Sequence, residues 1–309
     1  MTIPSRTTAD HPTAPATGHA PGRPVAPGDH DTTPAPPPAP SGTGGRTALR
    51  LLGLPEPAAL RRMTSIGRAE LTLLLRNRTA LMMALIMPFF MSAATFSVSR
   101  EMNLEEVGLS VGALVITGGI GMILLFVVYS NVISVYVARR EERVLKRLRT
   151  GELSDGEVLA GSALPSVALA LAQCLLLVVI GTAVLDLGFP EQPVTLLLGL
   201  LIGLALMVLM AAVTAAFTRT VESAQITALP LFMISAFASG LIVPLETLPA
   251  TMADVFRFLP MTPVIEMVRG GWLGSIEGTD VLRALAVALV WTGASVFAVR
   301  RWFRWDPRA

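Results

Sequence analysis

Six long apolar runs, separated by short charged or Gly- and Pro-bearing segments, constrain this chain more than any other feature. They extend from Thr79 to Ser97, Val111 to Val137, Ala163 to Leu185, Val194 to Phe217, Ala224 to Val243 and Leu282 to Val299. A span needs about 20 residues to cross a hydrocarbon layer about 30 Å thick. Inside lipid the backbone N–H and C=O groups must satisfy one another, which a helix does within a single segment. The sequence therefore predicts an all-α membrane protein with six transmembrane helices. Its bulk composition agrees, because 52% of the 309 residues are hydrophobic and only 15% are charged, too apolar a balance for a soluble globular domain.

The charges between the runs set the orientation. The segment ARREERVLKRLR, ending at Arg149, holds the densest positive charge in the chain. Lys and Arg in short loops beside spans stay on the cytoplasmic side during insertion. Arg76 and Arg78, Arg219, and the group Arg300, Arg301, Arg304 and Arg308 fall on the same side in a six-span topology. The alternate loops carry Glu101, Glu105, Glu106, Asp186 and Glu191. Both termini are thus expected in the cytoplasm and the protein in the plasma membrane, as a multi-pass protein. Arg outnumbers Lys so heavily that Lys146 is the sole lysine; with the wealth of Ala, Gly and Pro this points to a high-GC bacterium.

Four regions follow. Residues 1–45 form a Pro-, Ala- and Thr-rich stretch without an aromatic residue, expected as a disordered cytoplasmic tail. It lacks the apolar core of a cleavable signal peptide, so it is expected to remain on the protein. Residues 46–78 contain an amphipathic pattern from Pro57 to Leu75, with Leu60, Met63, Leu71 and Leu74 on one face, which fits a helix lying on the inner membrane surface. An ordinary solvated helix leading into the first span is the alternative. Residues 79–304 form the six-span domain, and residues 305–309 its cytoplasmic end. Between spans 5 and 6, the segment from Pro244 to Asp280 is half apolar and broken by Pro249, Pro260 and Pro263. It is expected to fold as short re-entrant or extracellular helices whose freed backbone groups are buried in protein.

Several chemistries are missing. The span centres hold essentially no ionisable residue, which disfavours an ion-coupled carrier. No G-x-x-x-x-G-K-[ST] phosphate loop surrounds Lys146. His11, His19 and His30, the only histidines, lie in the tail at spacings unsuited to a metal. No G-x-S-x-G or H-E-x-x-H motif occurs, and Cys174 is the single cysteine. No catalytic residue, cofactor or metal is expected, nor any affinity for nucleic acid. What remains is a membrane body with a basic cytoplasmic helix at about residues 139–149. There Arg139, Arg143 and Arg147 recur at four-residue spacing, with Val144 and Leu148 on another face. A charge cluster that only sets topology would read the same way.

At this loop the chain resembles the ABC-2 type permeases, the six-span membrane subunits of ATP-binding-cassette exporters. Their pattern of mixed charges, then T/V-L-K/E-R-L-R, then a short turn into the third span, reads here REERVLKRLRTGELS from Arg140 to Ser154, with Gly151 and Glu152 replacing the usual Thr-Pro. A second similarity follows the fifth span. The P-L-x-x-L-P element corresponds to Pro244, Leu245, Leu248 and Pro249, and the later L-P-x-T-P to the run from Leu259 to Pro263, followed by Arg269. The match runs from about Leu71 to Arg304 and is most similar to the daunorubicin-type drug-resistance permeases. The resemblance implies a homodimer joined to two copies of a separately encoded ATPase, which binds the ATP. It implies too that Arg139, Arg143, Lys146, Arg147 and Arg149 dock on that partner while a small amphipathic compound is exported.

For the substrate or the dimer seam the candidates are Met83, Met87 and Met91, a flexible stripe beside Pro88, and Tyr129 with Tyr136, seven residues apart on one helix face. Packing around the proline kink and ordinary interhelical hydrogen bonds explain the same residues equally well. The small-residue pairs Gly199 with Gly203 and Ser235 with Ser239 are expected to let helices approach closely. Two other functions fit the sequence: a membrane scaffold or immunity protein that sequesters a toxic compound without ATP, and a carrier coordinating Na⁺ through unwound backbone.

Overall fold

The computed structural model describes residues 57–76, 78–99, 110–142, 154–184 and 188–303, all within one compact unit, Arg46–Ala309. The N-terminal tail, loop residues 143–153, the acidic Glu101, Glu105, Glu106 and Asp186, and the C-terminal residues 304–309 lie outside the described residues. Among the described residues there are nine α-helices and no strand. They are α1 (Pro57–Arg76), α2 (Arg78–Ser99), α3 (Val111–Glu141), α4 (Asp155–Val184), α5 (Pro193–Phe217), α6 (Val221–Ala238), α7 (Ala250–Phe256), α8 (Thr262–Leu273) and α9 (Gly278–Trp302).

Five of these, α3, α4, α5, α6 and α9, are long and apolar enough to cross a membrane. The expected first span falls on α2, a 22-residue helix with Pro88 inside it. Two of the extensions beyond the apolar runs have a visible cause. α4 begins eight residues before Ala163, at Asp155, because Ser154 and Glu157 close its first turn reciprocally. The Glu157 carboxylate accepts from the Ser154 N–H at 2.8 Å, and the Ser154 hydroxyl accepts from the Glu157 N–H at 3.4 Å. α3 runs past Val137 to Glu141 for a reason that belongs to its charged end, described below.

α3 is the central helix and packs on α2, α4, α5, α6 and α8. In its apolar window 83% of the residues are buried, against 22% in α9 at the periphery. Glycines bring its neighbours this close: a Cβ added at Gly118 would lie 2.6 Å from the Leu241 carbonyl oxygen. Midway, Leu124–Ser130 adopt π-helical bonding before the α-helix resumes at Asn131, a local insertion common at functional positions.

α8 is too short to span, since its 12 residues reach only about 18 Å at 1.5 Å per residue. Pro263 sits in its first turn, where a missing N–H costs nothing, and Gly274 ends it with φ +67°. It is almost wholly buried against α5. Gly199 and Gly203 of α5 present their bare backbone to it; Cβ atoms there would come within 2.8 Å of Met267 and 2.6 Å of Val264. The carbonyls at its end are taken up by the start of α5. The Gln192 N–H donates to Gly271 at 2.9 Å, the Glu191 N–H to Trp272 at 3.2 Å, and the Gln192 Nε2 to Gly274 at 3.3 Å. Carbonyls freed where α8 ends are therefore satisfied inside the protein, as an apolar environment requires.

α1 lies along α4, with Gly67 against Leu164, and Ile66 against Gly161. Of the expected apolar face, Met63 is half-buried and Leu71 exposed, while the side chains of Leu60 and Leu74 lie outside the described residues. Ile66 is half-buried and Gly67 buried, and Gly67 and Gly161 allow the backbones of α1 and α4 to approach closely.

Candidate functional site

Where α3 ends, three consecutive residues each hold a different helix. Arg139 reaches α1: its Nε and Nη2 donate to the two carboxylate oxygens of Glu70 at 2.6 and 2.8 Å, and Nη1 donates to Glu142 at 2.5 Å. Both members of the Arg139 and Glu70 pair are largely shielded, with side chains 16% and 11% exposed, and the forked geometry fixes the angle between α1 and α3. Arg140 is buried and turns the other way, donating to the carbonyls of Ala215 at 2.9 Å and Thr218 at 2.5 Å, with a longer contact of 3.5 Å to Arg219. These carbonyls belong to the end of α5 and the turn beyond it, where no further helical N–H is available. Glu141 accepts from the Val221 N–H at 3.1 Å, in the first turn of α6, a position that favours negative charge. Nearby, Gln225 of α6 donates to Ser134 at 3.2 Å.

The extension of α3 beyond its apolar run is now explained. A guanidinium 1% exposed is tolerable only if its donors are used, and the end of α5 supplies carbonyls that otherwise lack partners. The last turn of α3 is thus a hub for α1, α5 and α6, and loop residues 143–153 follow it directly. α4 starts at the other end of that loop.

The sequence-derived candidates divide accordingly. Arg139 is bound within the protomer to Glu70 and Glu142. Arg143, Lys146, Arg147 and Arg149 lie outside the described residues. Tyr129 and Tyr136 are buried, 0% and 1% exposed. The Tyr129 hydroxyl hydrogen-bonds Thr214 of α5 at 3.0 Å, and that of Tyr136 donates to the Leu159 carbonyl of α4 at 2.9 Å. Each such interhelical bond contributes about 0.6 kcal/mol in a membrane protein. Met87 and Met91 are half-buried, Met91 against the core; Met83 lies on the same helix, α2. Glu70, Arg140 and Glu141 were missed by sequence reasoning. Only the run of three consecutive charges at 139–141, which point to different sides of a helix, hinted that these residues face different neighbours.

At the opposite end of the bundle, Arg269 of α8 donates to the carbonyl of Gly240, which turns with φ +78° just after α6. Beside it is a polar cavity of about 440 Å³ lined by Arg257, Glu266, Arg269, Asp280 and Arg283. Arg283 contacts Glu266 at 3.4 Å and Asp280 at 3.3 Å, while Arg257 contacts Asp254 at 3.2 Å. Burial pushes the Glu266 carboxyl above its ordinary range, against the pull of Arg283 and Arg257. Among the described residues no cluster of three His, Cys, Asp or Glu is arranged to hold a metal.

Among the described residues, nine helices, five of them able to span, with a central helix whose charged end gathers three others, define a multi-pass membrane protein. A family model, ABC-2 family transporter protein, matches residues 60–298, and the chain belongs to that family. It is accordingly a membrane permease of the ABC transporter class. Comparison with curated proteins gives no match.

Proposed function

We propose that this permease exports an amphipathic or hydrophobic compound across the plasma membrane, powered by a separately encoded ATPase that docks on the loop after Glu142. In this reading α2 is the first of six spans, both termini are cytoplasmic, α1 lies on the inner membrane surface and α7 and α8 are the outer re-entrant pair. Two permeases and two ATPases form the working complex. The observation that carries the reading is the hub at the end of α3, where Arg139, Arg140 and Glu141 bind α1, α5 and α6. A partner that moves the loop acts at once on those helices, whereas a scaffold has no use for such an arrangement.

The test is purification from the native host in gentle detergent, with mass spectrometry for a co-purifying protein that carries a phosphate loop. The expected result is a stoichiometric ATPase, lost from the double variant Arg143→Glu with Arg147→Glu while its thermal stability is unchanged. A well-folded preparation without an ATPase overturns the reading in favour of the scaffold.

A further inference from the structure

The largest cavity argued from here lies beside that hub and is of a different kind from the charged one at the far end. It encloses about 840 Å³ between α3, α4, α5 and α9, within the range of about 300–1,000 Å³ that accommodates drug-sized ligands. Its body is apolar, with Leu159, Val208, Leu209 and Val296 around the small Ala160. One end is polar, where Ser154 and Asp155 from the start of α4 face Arg300 from the last turn of α9. Tyr136 forms part of the wall, its hydroxyl already used by Leu159 and its ring edge-on to Phe303, with centroids 6.4 Å apart.

An enclosure with an apolar body and one charged end matches an amphiphile of similar asymmetry. Water gains little against the valines and leucines. The cavity at the far end combines Leu245, Ile265, Leu273 and Ile276 with three arginines and two carboxylates, so charge is spread through its walls instead of being gathered at one end. In the chain, Tyr136 lies two turns before residues 143–153 and Ser154 to Gly156 follow them, so walls of the cavity flank that segment on both sides.

We propose that this cavity is the loading site, which takes a small amphiphile with an apolar chain or ring body and an ionisable end. The role in loading rests on the export reading; the binding does not, and it is measured on the permease without an ATPase. The full chain in lipid nanodiscs is photolabelled with a dodecylamine bearing a diazirine on its chain, and adducts are mapped by mass spectrometry.

The expected adducts concentrate on Leu159, Ala160, Val208 and Val296. Filling the space with Ala160→Trp lowers their yield about tenfold, equivalent to about 1.4 kcal/mol, and Val296→Trp does the same should the first variant not fold. Leu289→Trp, on the exposed face of α9, leaves the yield unchanged. Adducts spread evenly over Leu282, Leu289 and Phe297 and indifferent to both fillings overturn the proposal. Loss of the adducts on adding excess phospholipid also overturns it, by making the space a lipid crevice.

Discussion

Arg140 and Arg269 are buried arginines at the two ends of α6, and each donates to backbone carbonyls where a helix stops. Their surroundings differ. Arg140 meets carbonyls of Ala215, Thr218 and Arg219, all released by the end of α5. Arg269 meets Gly240 in a left-handed turn and borders a cavity in which Arg257, Glu266, Asp280 and Arg283 share partners. One end is thus fixed by a single guanidinium against several carbonyls, and the other by a network of charges that neighbours can exchange. In an apolar medium the first arrangement tolerates loss poorly, because each carbonyl left behind is costly and no other donor is at hand.

The largest effect expected from this contrast is at Arg140. Arg140→Ala is expected to cost about 3 kcal/mol of stability, as two or more charge-assisted bonds are lost, and Arg269→Ala less than that, measured as loss of folded protein on heating in detergent. Arg140→Lys is expected to recover only part, because an ammonium does not reproduce the planar fork. The reverse order of the two alanine variants breaks the comparison.

An intermediate effect is expected where the hub meets α1. A double-mutant cycle of Glu70→Gln and Arg139→Gln is expected to give a coupling of about 1 kcal/mol, near the upper limit for exposed pairs because both side chains are shielded. Zero coupling would mean that α1 is held by its glycine contact with α4 alone.

The smallest effect is the pH dependence of the far end. Burial raises the Glu266 carboxyl above its unfolded value, so the folded state binds the proton more tightly. Stability is then greater below the folded pKa and declines as pH rises from the ordinary carboxylate range through it. Glu266→Gln is expected to flatten that slope in melting curves taken across mildly acidic pH. An unchanged slope would assign it to another group.

Much of the bundle was legible because a run of apolar residues in lipid admits little but a helix. The apolar runs locate α3, α4, α5, α6 and α9, and the Pro and Gly punctuation locates α8. What was not legible depends on contacts distant in sequence. Arg139 reads as part of a docking cluster because its four-residue spacing with Arg143 is visible, while its partner Glu70 is 69 residues away. Arg140 reads as a loop cation because nothing in the sequence says that carbonyls 75 and 78 residues later will surround it. Tyr129 and Tyr136 share a helix face, but whether that face meets a ligand, a second protomer or another helix is decided by packing. For a related reason the apolar face of α1 does not reveal its neighbour, since hydrophobicity marks what avoids water and does not separate lipid from protein.

The π-helical stretch in α3 has a mechanical consequence. Successive residues of an α-helix are turned by about 100° around its axis, so a surplus residue accommodated at Leu124–Ser130 sets the angular phase of everything beyond it. If those residues returned to α-helical bonding, Tyr136, Arg139, Arg140 and Glu141 would sweep around the axis together by about that angle. The grips on α1, α5 and α6 and one wall of the apolar cavity would all be released or re-aimed in one motion. The backbone bonding of this stretch thus decides which neighbours the charged end of the central helix faces.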